Sequence, residues 1–362
     1  MVTFTSLFRL LPLLSLSTTA VSQPILNDAV FNAASTHTVY QYPLGTWVEN
    51  IAVRHNGNLL VTFTQPTPSL HEINPSHPPN TTADPAATLV HTFTNHTQLT
   101  GITELAPDVF AVIADNSVYR VDLTTTNGTT AAVPIITLIA NLPTAGLLNG
   151  MATLPAASTT TTTTSSTPSL LISDSELGLI WRLDPRTGAH AVFFQHNATM
   201  SPTTDLGLLL GINGLRYVPP SSSSSSDDNG YAYYVNSPRR LFCRVAVDPT
   251  TAQPVGDDAE VVARGHLADD FAVRREAGGS IVGYLAGLND NVITRVEESG
   301  RSAVVAGGLN STTVAGASSA AFGRTEGVWK DTLFVTTGGA SAAPVNGTFV
   351  EGGKVVAVRL GY

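Results

Sequence analysis

The chain has 362 residues, a formal net charge of −9 and only 12% charged residues, against 43% hydrophobic ones. Its 18 Lys and Arg are scattered rather than clustered, which argues against nucleic acid as a partner. The one cysteine, Cys243, has no mate in the chain, so stability must come from a large apolar core, and its place in the strand-like run Leu241 to Val245 predicts a buried structural thiol.

The first 22 residues carry one cation, Arg9, then leucines at 10, 11, 13, 14 and 16, then Ala20-Val21-Ser22. This is the layout of a secretory signal peptide with a small-x-small cleavage site, and the apolar run is too short to span a bilayer. A leader over residues 1–22, a mature domain over 23–362, secretion and no membrane anchor are the expectations. Asn-x-Ser/Thr sequons at Asn80, Asn95, Asn127, Asn197, Asn310 and Asn346 agree with passage through the secretory pathway, although a Thr-rich chain gathers several by chance.

From Trp47 onward one pattern recurs: a polar residue, a small or polar one, an apolar one, then a short strand, a turn and a second strand. The units begin at Glu49-Asn50-Ile51, Thr100-Gly101-Ile102, Asn149-Gly150-Met151, Asn213-Gly214-Leu215, Asp269-Asp270-Phe271 and Thr325-Glu326-Gly327. The intervals after Asn149 and Asn213 hold the low-complexity stretches Ser158 to Ser166 and Ser221 to Ser226, which read as loops. β-branched and aromatic runs follow each start, for example Leu59 to Phe63, Phe110 to Ile113 and Tyr231 to Val235, with almost no helical periodicity. Six such units predict an all-β fold, a six-bladed β-propeller, with Thr38 to Tyr42 placed to close the ring as an N-terminal strand.

The first strand of each blade lines the central channel, so Glu49, Thr100, Asn149, Asn213, Asp269 and Thr325 should converge on one axis. Two carboxylates, two amides and two hydroxyls form a hard oxygen set of the kind Ca²⁺ or Mg²⁺ prefers. Equally, such residues hold ordered water or shape tight turns. Second strands should end at the same mouth and bring Asp115, Asp174, Asn236, Asn289 and Asp290 near the column. Arg324 and Glu326, flanking the sixth start, are candidate channel residues; His55, His196 and His266 read as solvated or structural. Walker loops, dinucleotide fingerprints and Gly-x-Ser-x-Gly elbows do not occur.

Glu49, Asn149-Gly150-Met151, Asn213-Gly214-Leu215 and Asp269 resemble the SMP-30/gluconolactonase/LRE-like propellers over nearly the whole mature chain. That resemblance implies a divalent cation, often calcium, held by Glu49, Asn149, Asn213 and Asp269, with Asp269 as acid/base of lactone hydrolysis. The segments Asp269-Asp270-Phe271 and Val48-Glu49-Asn50-Ile51 depart from that family's Asp-Gly-Met and Glu-Gly-Pro. Through Gly211 to Leu215, Ala268 to Ala272 and Val305 to Asn310 the chain is more similar to a secreted fungal branch that includes the hetero-Diels–Alderases of tropolone sesquiterpenoid pathways. The branch implies a natural-product cyclase joining a tropolone quinone methide to a humulene-type alkene, without a cofactor. Glu49 and Asp269 would then be the catalytic acid and base, with Trp47, Thr100, Met151, Leu215, Asp270, Phe271 and Arg324 binding the small-molecule substrate. A metal-dependent lactonase and a noncatalytic secreted binding propeller are the alternatives.

Overall fold

The computed structural model describes residues 34–76, 86–124, 133–157, 167–221, 228–324 and 329–360. The expected leader, the sequons Asn80 and Asn127, and Thr325-Glu326-Gly327 lie outside the described residues. Within them the chain forms six antiparallel sheets arranged as a six-bladed propeller. Blade 1 runs Trp47–Val53, Leu59–Gln65, Ser69–Ile73 and Ala87–Thr92, from the axis outward. The inner strands of blades 2 to 5 are Leu99–Ala106, Leu148–Leu154, Ile212–Val218 and Phe271–Arg275.

Blade 6 closes the ring. Its inner strand is Ala317–Phe322, followed by Thr332–Thr337 and Lys354–Arg359, and its outermost strand comes from the other end of the chain, Ser35–Gln41. Gln41 pairs with Lys354 and Ser35 with Arg359, which confirms the closing strand expected around Tyr40. The sixth start, however, is earlier than expected: Ser318 and Ser319, not Thr325, hold the axial positions. Ala315 to Ala321 consists of small residues without the β-branched signature of a strand, because this segment is wedged at the crowded axis where bulk does not fit.

Middle strands are buried on both faces, and their sequences are nearly continuously apolar: Val109–Ala114 and Ile281–Gly287 are buried at every position. Each blade packs on its neighbours through these faces, giving clusters such as Leu171, Ile180, Leu215 and Tyr234 between blades 3 and 4. Cys243 is buried in this cluster, beside Tyr234, and burial pushes its thiol up to about 12, the inert state expected of a structural cysteine.

At the axis the blades are tied in a closed circle. Thr62 Oγ1 donates to the Thr100 carbonyl at 2.8 Å, Thr100 Oγ1 to that of Leu148 at 3.0 Å, and Ser173 Oγ to that of Asn213 at 2.5 Å. The Gly214 N–H donates to the Asp269 carbonyl at 3.0 Å, Ser319 Oγ to the Asp270 carboxylate at 2.8 Å, and Ser318 Oγ to the Val48 carbonyl at 2.6 Å. Six blades, six links. Gly101, Gly150 and Gly214 fill equivalent positions on three inner strands because the next strand leaves no room: a Cβ on Gly150 would stand 2.5 Å from the Leu215 nitrogen, and one on Gly214 would collide with the Asp270 carboxylate.

Two outcomes test this account. Gly214→Ala should lower stability by about 1–3 kcal/mol through overpacking, read as a drop in thermal midpoint. A chain lacking everything through Tyr42 leaves Lys354–Arg359 as an open edge and should show no cooperative unfolding transition.

Candidate functional site

Inner strands begin, and second strands end, at one mouth of the channel. The residues one position before Asn50, Gly101, Gly150, Gly214, Asp270 and Ser319 therefore stand at that mouth together: Glu49, Thr100, Asn149, Asn213, Asp269 and Ser318. In blades 2, 3 and 4 they fall within a bulge, where two inner-strand residues interrupt the pairing and turn a side chain out of the ladder.

These six do not share one role. Thr100 and Ser318 are buried, and their hydroxyls are engaged in the axial circle. Asn213 is buried and donates through Nδ2 to Asp269 Oδ1 at 2.7 Å and to Ser237 Oγ at 2.9 Å. Asp269 is almost fully buried; Glu49, from blade 1, is partly exposed at the surface of the mouth yet enclosed by protein around its carboxyl. Trp47 Nε1 donates to Glu49 Oε2 at 2.5 Å, and the Trp47 ring packs over Gly338, where a Cβ would come within 2.7 Å of it.

The electrostatics of the pair follow from this enclosure. Burial raises Glu49 to about 7, the Asp270 charge adds to the rise, and hydrogen bonds from Trp47 and Thr64 oppose it. Burial likewise raises Asp269 well above the usual carboxylate range, with the Glu49 and Asp270 charges adding and the Asn213 bond opposing. Burial and mutual repulsion thus shift both carboxyls toward the protonated form.

Directly behind the pair, the axis is blocked. Asp270 Oδ2 accepts from Arg216 Nη2 at 2.6 Å, Ser319 Oγ at 2.8 Å and Asn50 Nδ2 at 3.0 Å, so four blades meet in one polar knot. Beyond it, opening to the other mouth, is a separate cavity of about 260 Å³ lined by Ile51, Ile102, Thr103, Glu104, Arg216 and Arg324 among others.

Several expected substrate contacts are displaced by this arrangement. Leu215, Met151 and Phe271 point into the cores between blades and are fully buried, because apolar side chains at the start of the regular ladder are drawn between packed sheets. Asp270 is part of the knot. Arg324 is at the opposite mouth, paired with Glu104, since it follows the sixth inner strand rather than preceding it. Of the expected second-strand set, Asp174 is buried and accepts from the Gly146, Leu147 and Leu177 nitrogens and Trp181 Nε1, and Asn236 donates to the Thr199 and Ser201 carbonyls. Asp115 receives the His96 ring and Thr97. These residues shape the mouth loops instead of lining the floor.

What the sequence did not single out is the rim. Leu44, Leu177, Leu208, Leu209, Leu309, Phe349 and Val350 are exposed, and all seven stand on loops that precede inner strands or join second to third strands. That connectivity puts every one of them at the mouth that Glu49 and Asp269 face. They fall into two groups: Leu177, Leu208 and Leu209 over blades 3 and 4, the others from the loops of blades 5, 6 and 1. Exposed apolar residues gathered around a polar floor mark a binding surface. Among the described residues no group of three or more His, Cys, Asp and Glu is placed to hold a metal ion.

A carboxyl whose folded pKa is raised contributes stability that is present in full below its unfolded pKa and is lost as pH rises through the folded value. Thermal stability should therefore fall between about pH 5 and pH 8 in the presence of chelator. Glu49→Gln should flatten that slope. An identical slope in the variant would show that the pair does not titrate as described.

No protein-family model matches the chain. It is 29% identical over 263 residues to a protein of Sarocladium schorii named a putative hetero-Diels–Alderase, covering 65% of this chain and 60% of that protein's length. A second protein of that name, from a Phoma species, is 29% identical over 334 residues, covering 82% and 85%. Among solved structures, the calcium-binding protein regucalcin of Agrobacterium tumefaciens superposes with a TM-score of 0.57 at 14% identity, covering 92% of this chain and 96% of that one. A luciferin-regenerating enzyme gives 0.58 at 15% identity, covering 90% and 95%. The chain thus shares the six-bladed fold of regucalcin and luciferin-regenerating enzyme, and in sequence it is similar to two proteins named for hetero-Diels–Alder chemistry.

Proposed function

We propose that the protein is a hetero-Diels–Alderase of natural-product biosynthesis that joins a tropolone quinone methide to a humulene-type alkene at the mouth holding Glu49 and Asp269. The observation that carries this reading is the placement of two enclosed carboxyls, Glu49 and Asp269, at the mouth whose loops bear the exposed apolar residues. The similarity to the two named relatives supports it.

The chemistry asks for little else. Cycloaddition forms one C–C and one C–O bond and loses no atom, so the protein contributes by holding the heterodiene and alkene in contact and by donating a hydrogen bond to the heterodiene carbonyl. The protonated member of the pair is that donor. If the quinone methide is generated on the protein, the same proton goes to the departing hydroxyl, which leaves as water, while the ionised partner takes the tropolone hydroxyl proton. The leucines of the rim receive the hydrocarbon, and Trp47, fixed on Gly338, holds Glu49 in place.

The alternative of a metal-dependent lactonase draws on the oxygen-bearing set Glu49, Asn149, Asn213 and Asp269. Two buried like charges without a cation of their own suit a hard divalent ion, which these four residues would hold and which would polarise a lactone carbonyl. Asn213 here turns its NH₂ toward Asp269, so it would have to rotate to offer its oxygen. A face that only docks another protein has no need of a buried acid pair.

Purified protein incubated with a tropolone quinone-methide precursor and humulenol should raise the yield and fix the stereochemistry of the adduct relative to the uncatalysed reaction. Asp269→Asn should slow it about 100-fold. Rapid opening of simple aldonolactones, a calcium-dependent rise in melting temperature and no effect on the cycloadduct would instead establish the lactonase.

A further inference from the structure

The four described sequons do not scatter over the propeller. Asn95, Asn197, Asn310 and Asn346 are all exposed, and all stand on loops at the one mouth: 93–98, 195–211, 308–316 and 338–353. Three of these loops also carry the exposed apolar rim. Asn310 follows Leu309 directly, Asn346 precedes Phe349 and Val350 on one turn, and Asn197 begins the short helix Asn197–Met200 in the loop that bears Leu208 and Leu209.

From this juxtaposition we propose that these four asparagines carry N-linked glycans that form a collar around the mouth. The collar keeps other protein surfaces away from the rim against self-association and leaves the mouth itself open to small molecules. A glycan core is large and strongly hydrated, so next to Leu309 or Phe349 it keeps a second protein surface away. Apolar loop residues left bare on an exported protein are an association hazard. Asn346 has a local role as well: with φ of 53°, followed by Gly347 at 76°, it makes the tight turn between Val345 and Phe349, so its sequon is better removed at Thr348. The inference is independent of which reaction the floor performs.

The test uses the full chain expressed in a yeast secretory host. Glycopeptide mapping, with enzymatic release in heavy-oxygen water, should convert Asn95, Asn197, Asn310 and Asn346 to labelled aspartate. Trimming the native protein with an endoglycosidase should turn a monodisperse sample into larger species by light scattering and raise binding of an apolar dye severalfold. The variant Asn197→Gln/Asn310→Gln/Thr348→Ala should behave like the trimmed protein while melting at the same temperature. Unmodified asparagines at 197, 310 and 346, failure of the chain to be exported, or full occupancy with no change on trimming would each overturn the proposal.

Discussion

Six inner strands converging on one axis must come closer than ordinary sheets do, and every buried backbone group there still needs a partner. The chain meets this with a closed circle of side-chain and backbone hydrogen bonds, from Thr62 through Thr100, Ser173, Gly214 and Ser319 to Ser318. Small hydroxyl residues serve because they donate to a neighbouring carbonyl without occupying the space that a longer amide would. The glycines at 101, 150 and 214 yield room on one side of the axis, and Asn50, Asp270 and Ser319 fill the other. The ring is thus not symmetric, and the asymmetry is what leaves a carboxylate on the axis.

That carboxylate links architecture to chemistry. Asp270 is held by Arg216, Asn50 and Ser319, and removing one partner of such a buried ion pair costs about 3–5 kcal/mol. Its neighbour Asp269 is therefore presented from a rigid backbone, with its own N–H bonded to Ala286 and its carbonyl to Gly214. The Asp270 charge also weighs on both Glu49 and Asp269, adding to the upward shift of each. One group closes the channel, braces four blades and tunes the acid above it.

The mouth loops carry the remaining individuality. Their buried polar residues, such as Asp174 and Asn236, are taken up in fixing loop backbone, which frees the exposed positions for apolar side chains. A propeller separates these duties well, since loops at one end can vary while the blades that carry them stay packed. The result is an acidic floor beneath loops that carry an apolar rim.

How much of this the sequence determined by itself depends on where periodicity reaches. The repeat of polar, small and apolar residues located five of six inner strands and set Glu49 and Asp269 at their starts, because each strand meets the same crowded axis, and the need to close the ring pointed to the N-terminal strand. It failed at the sixth blade, where Ser318 and Ser319 lie among alanines that no strand propensity marks. Local pattern also misassigned Leu215, Met151 and Phe271: each stands two residues beyond a residue at the mouth, where the regular ladder begins and draws it between blades, and only the packed register tells the two apart. The polar knot joins Asn50, Arg216, Asp270 and Ser319 across as many as 269 positions of sequence, and the rim gathers apolar side chains from five separate loops. Contacts between residues so far apart leave no mark in spacing; closure of the ring creates them.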